Sequence, residues 1–288
     1  ENNNYQNEEI DLSLLNDCDK WILTKLNETI KASDMNYDKY DFGEASKAIY
    51  KFTWFDFASW YLEMTKVTFS GNDQKAKINT CACLRYVLTT ILKLLHPFMP
   101  FVTEEIYQKY NEGSIVIASW PEIKEEYTFA NAKKIETIFD IITAVRNIRA
   151  EKNVAPSKKI DLALQVLNEE TLETINSSIA YLEKFTNYEN INISMETIDK
   201  DKTITKVCDN VIVIVPLKAL VNVEEEKKRL ALEKEKYINE INRCEKMLSN
   251  ANFLSKAPQA KVDEEKEKLA SYKNKLEETI KLLNGYNE

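Results

Sequence analysis

Apolar residues recur three and four apart along most of residues 10–132, the spacing that puts them on one face of an α-helix. Trp21, Ile22, Leu26 and Ile30 mark a first helix, with Asn16 or Asp17 as its N-cap. After a polar loop at 34–41, Ala45, Ala48, Ile49, Phe52, Phe55, Trp60, Leu62 and Val67 predict one long helix over 44–69. Its middle is dense in aromatics, at Trp54, Phe55, Phe57, Trp60 and Tyr61, and Gly71-Asn72-Asp73 breaks it. A third helix, 75–95, carries Leu84, Val87, Leu88, Ile91 and Leu95 inward and ends at His96-Pro97, where proline removes a backbone donor and turns the preceding residue away from the helical region. Pro100 suits the first turn of a fourth helix over 101–111. Gly113-Ser114 closes the bundle, and 115–117 reads as an extended lead into Ser119-Trp120-Pro121.

Residues 133–221 change period. A helix over 133–152 is followed by short alternating runs at 160–166, 191–193, 203–205 and 211–215, and alternation of period two argues for strands. A helix over 169–186 separates the first two runs, so the segment reads as a small α+β subdomain. From 222 onward the chain turns to Glu, Lys, Leu and Asn. Val223, Leu230, Lys234, Tyr237, Ile241, Cys244 and Leu248 fall on heptad spacing, as do Val262, Leu269, Tyr272, Leu276 and Leu283 on the return, with a turn at 252–258. An antiparallel coiled-coil hairpin of about 28 residues per helix would project about 42 Å at 1.5 Å per residue. Pattern alone leaves its role open between oligomerisation, spacing and nucleic-acid contact. The fold class expected is mainly α: a helical bundle over 10–132, the α+β subdomain over 133–221 and the coiled-coil arm over 222–288.

Composition narrows the chemistry. The chain has 288 residues, 44% of them hydrophobic, enough for a packed core. No run approaches the ~18 apolar residues of a membrane span, and the acidic start lacks the basic and apolar regions of a signal peptide, so a cytoplasmic location away from membranes is expected. There is one histidine, His96, and four glycines, at 43, 71, 113 and 285. A Ser-His-Asp triad would have to use the histidine of the proline corner. A phosphate-cradling loop needs clustered glycines, and these are far apart. With no Cys-x-x-Cys pair, zinc has no ligand set of the usual spacing, and the five cysteines read as reduced thiols. No catalytic residue and no metal ligand is nominated.

Several separated strings, in order, resemble the anticodon-binding region of class I aminoacyl-tRNA synthetases. They are Asp19-Lys20-Trp21-Ile22-Leu23, with lysine where the family usually has arginine; Trp54-Phe55-Asp56-Phe57-Ala58-Ser59-Trp60-Tyr61-Leu62-Glu63, with Ser59 where an acid is common; the corner His96-Pro97-Phe98-Met99-Pro100-Phe101; Ser119-Trp120-Pro121-Glu122; and Val145-Arg146-Asn147-Ile148-Arg149-Ala150-Glu151-Lys152. The coiled-coil hairpin makes the chain similar to the valyl branch in particular. The resemblance implies an anticodon-binding bundle with an RNA-binding arm, the back part of a longer enzyme. The family's His-x-Gly-His and Lys-Met-Ser-Lys-Ser signatures are absent, so the fragment would be non-catalytic. No cofactor is expected in this chain, ATP and Mg belonging only to the missing catalytic domain. The implied partners are valine tRNA and the catalytic and editing domains of the same polypeptide, with the protein a monomer. The corresponding part of an isoleucyl or leucyl enzyme, or a coiled-coil dimerisation protein with no RNA role, stays open.

The resemblance directs attention to cations and aromatics. The chain is net −8, with 39 Lys and Arg against 47 Asp and Glu, while residues 222–288 hold 14 of each sign, so the deficit lies in the first 221 residues. RNA contact must then depend on local patches. Arg146, Arg149 and Lys152, at i, i+3 and i+6, are expected to line one helical ridge, with Lys158 and Lys159 nearby. Trp54, Trp60 and Tyr61 are candidates for stacking unpaired bases. On the arm, Lys227, Lys228 and Arg229 near the base and Lys256 and Lys261 near the tip are candidate phosphate contacts.

Overall fold

The computed structural model describes residues 9–199, 202–217, 223–250 and 259–285. They divide into two compact units, the first ending at Pro216 and the second beginning at Leu217.

The first unit is built around α1, Asp17–Asp38. Its start is a capping box: Asn16 Oδ1 accepts from the Asp19 amide at 2.9 Å while Asp19 Oδ2 accepts from the Asn16 amide. Such a cap stabilises by about 1 kcal/mol. Trp21, Ile22, Leu23, Leu26 and Ile30 are all buried, so α1 is enclosed on nearly every side. It also runs through most of the segment 34–41 expected to be loop. Four residues on, helix resumes as α2, Phe42–Lys51, with Asp41 capping the Glu44 amide.

The expected helix 44–69 is continuous in path but not in winding. Between α2 and α3, Leu62–Ser70, the backbone winds as a π-helix over Phe52–Tyr61. Ser59 Oγ donates to the Trp54 carbonyl at 2.8 Å, and the Leu62 amide to the Phe57 carbonyl. The wider turn rephases the side chains. After Ala45, Ile49 and Phe52, the buried positions become Phe57, Tyr61 and Met64, while Phe55 and Leu62, expected inside, are exposed.

α4, Gln74–Leu95, and α5, Pro100–Tyr107, flank the proline corner as expected, with Asp73 capping α4 and Pro100 in the first turn of α5. His96 is structural here, its Nδ1 lying 2.8 Å from Thr103 Oγ1. The segment 115–117 is a 3₁₀ turn, not an extended lead. Its Ile115 packs with Leu92 and Tyr107 in a small cluster of its own.

α6, Lys134–Glu151, joins bundle and sheet. Ile135, Ile138, Ile141, Ile142, Val145 and Ile148 are buried, so this helix too is covered on more than one side. Trp21 meets Phe139 edge to face at 4.9 Å, and Trp60 stacks on the same ring at 4.3 Å. The α+β portion therefore shares a core with the bundle. Its four strands, β1 Ile160–Val166, β2 Tyr188–Ser194, β3 Thr203–Cys208 and β4 Val211–Pro216, form one sheet in the order β2-β1-β4-β3. β1 pairs parallel with β2 through a helical crossover and antiparallel with β4; β3 and β4 are an antiparallel hairpin. The crossover expected as one helix over 169–186 is two, α7 Glu169–Ser177 and α8 Ile179–Thr186, broken at Ser178.

The second unit is a pair of helices, Val223–Leu248 outgoing and Gln259–Gly285 returning. Tyr237 lies 6.3 Å from Tyr272 and, further along, Cys244 meets Glu265, an antiparallel progression, and Glu245 reaches Lys273 at 2.7 Å. The outgoing helix has 26 residues, or about 39 Å at 1.5 Å per residue. Leu230, Ile241, Cys244 and Val262 are buried at the seam, as the heptads require. Glu265 and Thr279 are buried there as well, at positions that polar letters conceal from a hydrophobic pattern. The expected turn at 252–258 lies outside the described residues.

Candidate nucleic-acid interface

The ridge expected of Arg146, Arg149 and Lys152 does not form, because Arg149 faces inward. Only 6% exposed, its guanidinium is spent on four backbone carbonyls. Nη1 donates to Ala155 at 3.1 Å and Lys158 at 2.7 Å, and Nη2 to Thr186 at 2.8 Å and Asn187 at 3.2 Å. The local backbone explains why these carbonyls converge. α6 ends as Asn153 takes a left-handed conformation at φ 52° and the Val154 amide returns to the Arg149 carbonyl at 2.8 Å. The chain then curls under the helix end. Asn187, also left-handed at φ 50°, donates from its side chain to Pro156 and Ser157, closing the loop from the other side. Arg149 is thus a clamp between the end of α6, the 155–158 loop and the α8–β2 turn. Helical spacing carried a signal of this, since Arg149 lies four residues after Val145 and next to Ile148, on the apolar side of α6.

Arg146 is exposed, with its guanidinium carbon 5.9 Å from the ring centres of both Trp60 and Phe185. Trp60 is half-buried and leans on Phe139, so the cation caps an aromatic column rooted in the core. Among the described residues Arg146 has no carboxylate partner within ion-pairing distance, which leaves its donors directed to solvent. Lys152 is exposed near the helix end, and Lys159 pairs with Glu189 at 3.4 Å. Lys158 is half-buried beside the Arg149 clamp, which takes its carbonyl.

The three nominated aromatics separate by burial. Tyr61 is fully enclosed, and its hydroxyl donates to Asp19 Oδ1 at 2.7 Å, so no base can reach it. The same carboxylate accepts from Thr80 at 3.2 Å. Burial pushes the Asp19 pKa up to about 6 despite these donors. Trp54 is 57% exposed and lies parallel to Tyr50, itself 59% exposed, with ring centres 6.3 Å apart and planes 5° from parallel. Composition does not single out Tyr50, although its i, i+4 spacing to Trp54 signals the pair. The same holds for Lys124, whose ammonium is held 4.9 Å from the ring centre of Tyr86 and 5.0 Å from that of Tyr127. It lines an open cavity of ≈ 610 Å³ with Arg85 and Asn111.

On the arm, Lys228 and Lys261 are exposed. The side chains of Lys227 and Arg229, and the whole of Lys256, lie outside the described residues. Carboxylates intervene along the rod, with Lys268 bound to Glu264 and Glu265 and Lys281 to Glu277.

Comparison with known proteins agrees with the resemblance. Residues 19–166 match the family described as the anticodon-binding domain of tRNA ligase, and residues 222–285 match the valyl tRNA synthetase tRNA binding arm. Valine–tRNA ligase of Geobacillus stearothermophilus is 43% identical over 274 residues, covering 94% of this chain and 31% of the relative. The Listeria innocua protein of the same name is 41% identical over 285 residues, 98% of this chain and 32% of that one. The Bacillus subtilis protein is 40% identical over 258 residues, 88% and 29%. The chain therefore spans less than a third of the length of these curated relatives. The helical bundle with α6 and β1 lies in the first matched segment and the antiparallel helix pair in the second, with β2, β3 and β4 between them, and the chain belongs to the anticodon-binding domain family of tRNA ligases, continued by a valyl-type tRNA-binding arm.

Proposed function

We propose that this chain is the tRNA-binding portion of a valine–tRNA ligase. The bundle and sheet would hold the anticodon stem-loop of valine tRNA, and the arm would reach toward the outer corner of the L-shaped molecule. The observation that carries this reading is the succession, in one chain, of an anticodon-binding match and a valyl-type arm match, with relatives named valine–tRNA ligase over nearly the whole chain. The ATP-dependent joining of valine to tRNA would belong to the part of the enzyme beyond this chain, together with its ATP and Mg. The protein would act as a cytoplasmic monomer.

Physical reasons narrow which residues would touch RNA. Cations already spent on carbonyls or carboxylates release few counterions when phosphate arrives, so Arg149 and Lys159 contribute little. Arg146 is the better candidate: exposed, held by two rings and free to present its planar fork to phosphate or a base edge. Trp54 with Tyr50 offers an exposed aromatic face to an unpaired base, an interaction of about 1–3 kcal/mol per base.

The test is fluorescence anisotropy of labelled valine tRNA at two salt concentrations, with isoleucine and leucine tRNAs as competitors. Salt-sensitive binding preferring valine tRNA is expected. Equal competition would assign the chain to a sister synthetase. Absence of RNA binding with a stable dimer in sedimentation would replace the reading with that of a coiled-coil interaction protein.

A further inference from the structure

We infer that the cavity between α4 and the segment 124–127 seats a single nucleotide, with its phosphate between Lys124 and Arg85 and its base on the ring of Tyr86. On α4, Ala82, Arg85, Tyr86 and Thr89 follow i, i+3, i+4 and i+7 spacing, so one helical stripe lines the cavity. The volume of ≈ 610 Å³ lies within the range of about 300–1,000 Å³ usual for small-molecule sites. Its polar groups are held in place. Arg85 Nη2 donates to the Tyr110 carbonyl at 2.7 Å, Asn111 Nδ2 donates to the Tyr107 carbonyl at 3.2 Å, and Tyr86 meets Tyr127 edge to face at 5.2 Å. Lys124 is fixed by its backbone instead: its amide donates to Asn27 Oδ1 at 3.3 Å and its carbonyl accepts from Asn27 Nδ2 at 2.7 Å. Its side chain can therefore move without disturbing the fold.

Charge and ring chemistry choose the ligand class. The wall carries two cations, Arg85 and Lys124, and two carboxylates, Glu9 and Glu126, and among the described residues neither cation is ion-paired. A bare anion gains from the cations but also meets the carboxylates. A free amino acid matches both signs and leaves the tyrosine ring uncovered. A nucleotide supplies all three complements: phosphate for the cations, an amine or ring N–H donor for a carboxylate, and a π-face for Tyr86. The Lys124 ammonium rests over Tyr86 and Tyr127, 4.9 and 5.0 Å from their ring centres. A charge-assisted bond to phosphate is stronger than an exposed cation–π contact, so phosphate draws the ammonium off the rings and uncovers Tyr86 for the base. The same chemistry is offered by a nucleotide free in solution and by one splayed out of an RNA strand.

The experiment is saturation-transfer NMR on this chain with CMP, AMP, GMP and UMP, with inorganic phosphate and valine tRNA as competitors, repeated on Lys124→Gln and Lys124→Arg. Circular dichroism checks that both variants fold. Saturation is expected to reach the base protons, with a loss of about tenfold in affinity for Lys124→Gln and recovery for Lys124→Arg, since one charge-assisted bond is at stake. The tRNA arm names the source: displacement of the bound nucleotide assigns the seat to a nucleotide of the RNA, and retention assigns it to a free one. Phosphate that competes as strongly as the nucleotides overturns the inference and leaves an anion site only. Absence of base saturation with all four nucleotides, or affinity unchanged in Lys124→Gln, also overturns it. As a seat for RNA the inference rests on the proposed function, and the two fail separately. Nucleotide binding without tRNA binding sinks that reading alone, and tRNA binding without nucleotide binding sinks this inference alone.

Discussion

Replacing Arg149 with alanine tests whether this residue is a clamp or an RNA contact. Its guanidinium makes four hydrogen bonds to carbonyls, at 3.1, 2.7, 2.8 and 3.2 Å. A bond to a charged donor contributes about 1.5–3 kcal/mol net, but that value applies fully only where water cannot replace the donor. Ala155 is exposed and Lys158 and Asn187 half-buried, so their carbonyls can rehydrate; Thr186 is only 2% exposed, and its carbonyl is left stranded. One stranded acceptor at about 2–3 kcal/mol plus roughly 0.5 kcal/mol for each rehydrated one gives a loss of about 3–5 kcal/mol. Arg149→Lys keeps the charge but loses the fork and should recover about half of that loss. Urea unfolding of the three proteins gives the stabilities, and hydrogen exchange should show the variants opening first at 153–159 and 186–188. An Arg149→Ala protein within about 1 kcal/mol of the parent in stability, with weaker tRNA binding and a flatter salt dependence, would refute the clamp and restore the ridge.

Arg146→Ala should do the reverse, changing stability by no more than about 1 kcal/mol, the worth of an exposed cation–π contact, while lowering tRNA affinity and the salt slope by about one counterion; anisotropy across a salt series reads both. Asp19 has its pKa raised from 3.8 to about 6, so the folded state holds this proton more tightly than the unfolded chain. Its stabilising contribution is therefore complete below about pH 4 and is lost as pH rises through about 6, a change of about 3 kcal/mol at 1.36 kcal/mol per unit. Asp19→Asn should flatten that part of the stability profile in urea titrations between pH 4 and 7, and a profile parallel to the parent's would count against it. Ile241→Asp puts a charge into a seam where Ile241 is 8% exposed, so exchange protection should vanish along Val223–Leu248 while α1 and α6 keep theirs; retained protection in the arm would mean the seam is not what holds it.

Much of the architecture follows from local rules that a sequence states openly. Proline ends α4 and opens α5 because it lacks a donor whatever its neighbours are, and the alternating runs become strands because period two allows one face to be buried. Heptad spacing likewise suffices for two helices that bury a common seam. Tertiary structure decided what local spacing leaves degenerate. Ten residues wound as a π-helix, Phe52–Tyr61, moved the buried phase from Phe55 and Leu62 to Phe57, Tyr61 and Met64, because the side chains that fill the space against α1 determine the winding, and an aromatic-rich run reads the same in either phase. Glu265 is buried at the arm seam for a related reason: Lys268 and Cys244 reach it there, and no hydrophobic pattern records a partner on another helix. Arg146 and Arg149 show the limit most plainly. Three residues apart on one helix, they look like two members of a basic ridge, yet one caps an aromatic column in solvent and the other ties three segments together through their carbonyls. The letters specify the charge of each guanidinium. Which of them remains free for RNA depends on where distant backbone, at 155–158 and 186–187, returns to meet the helix.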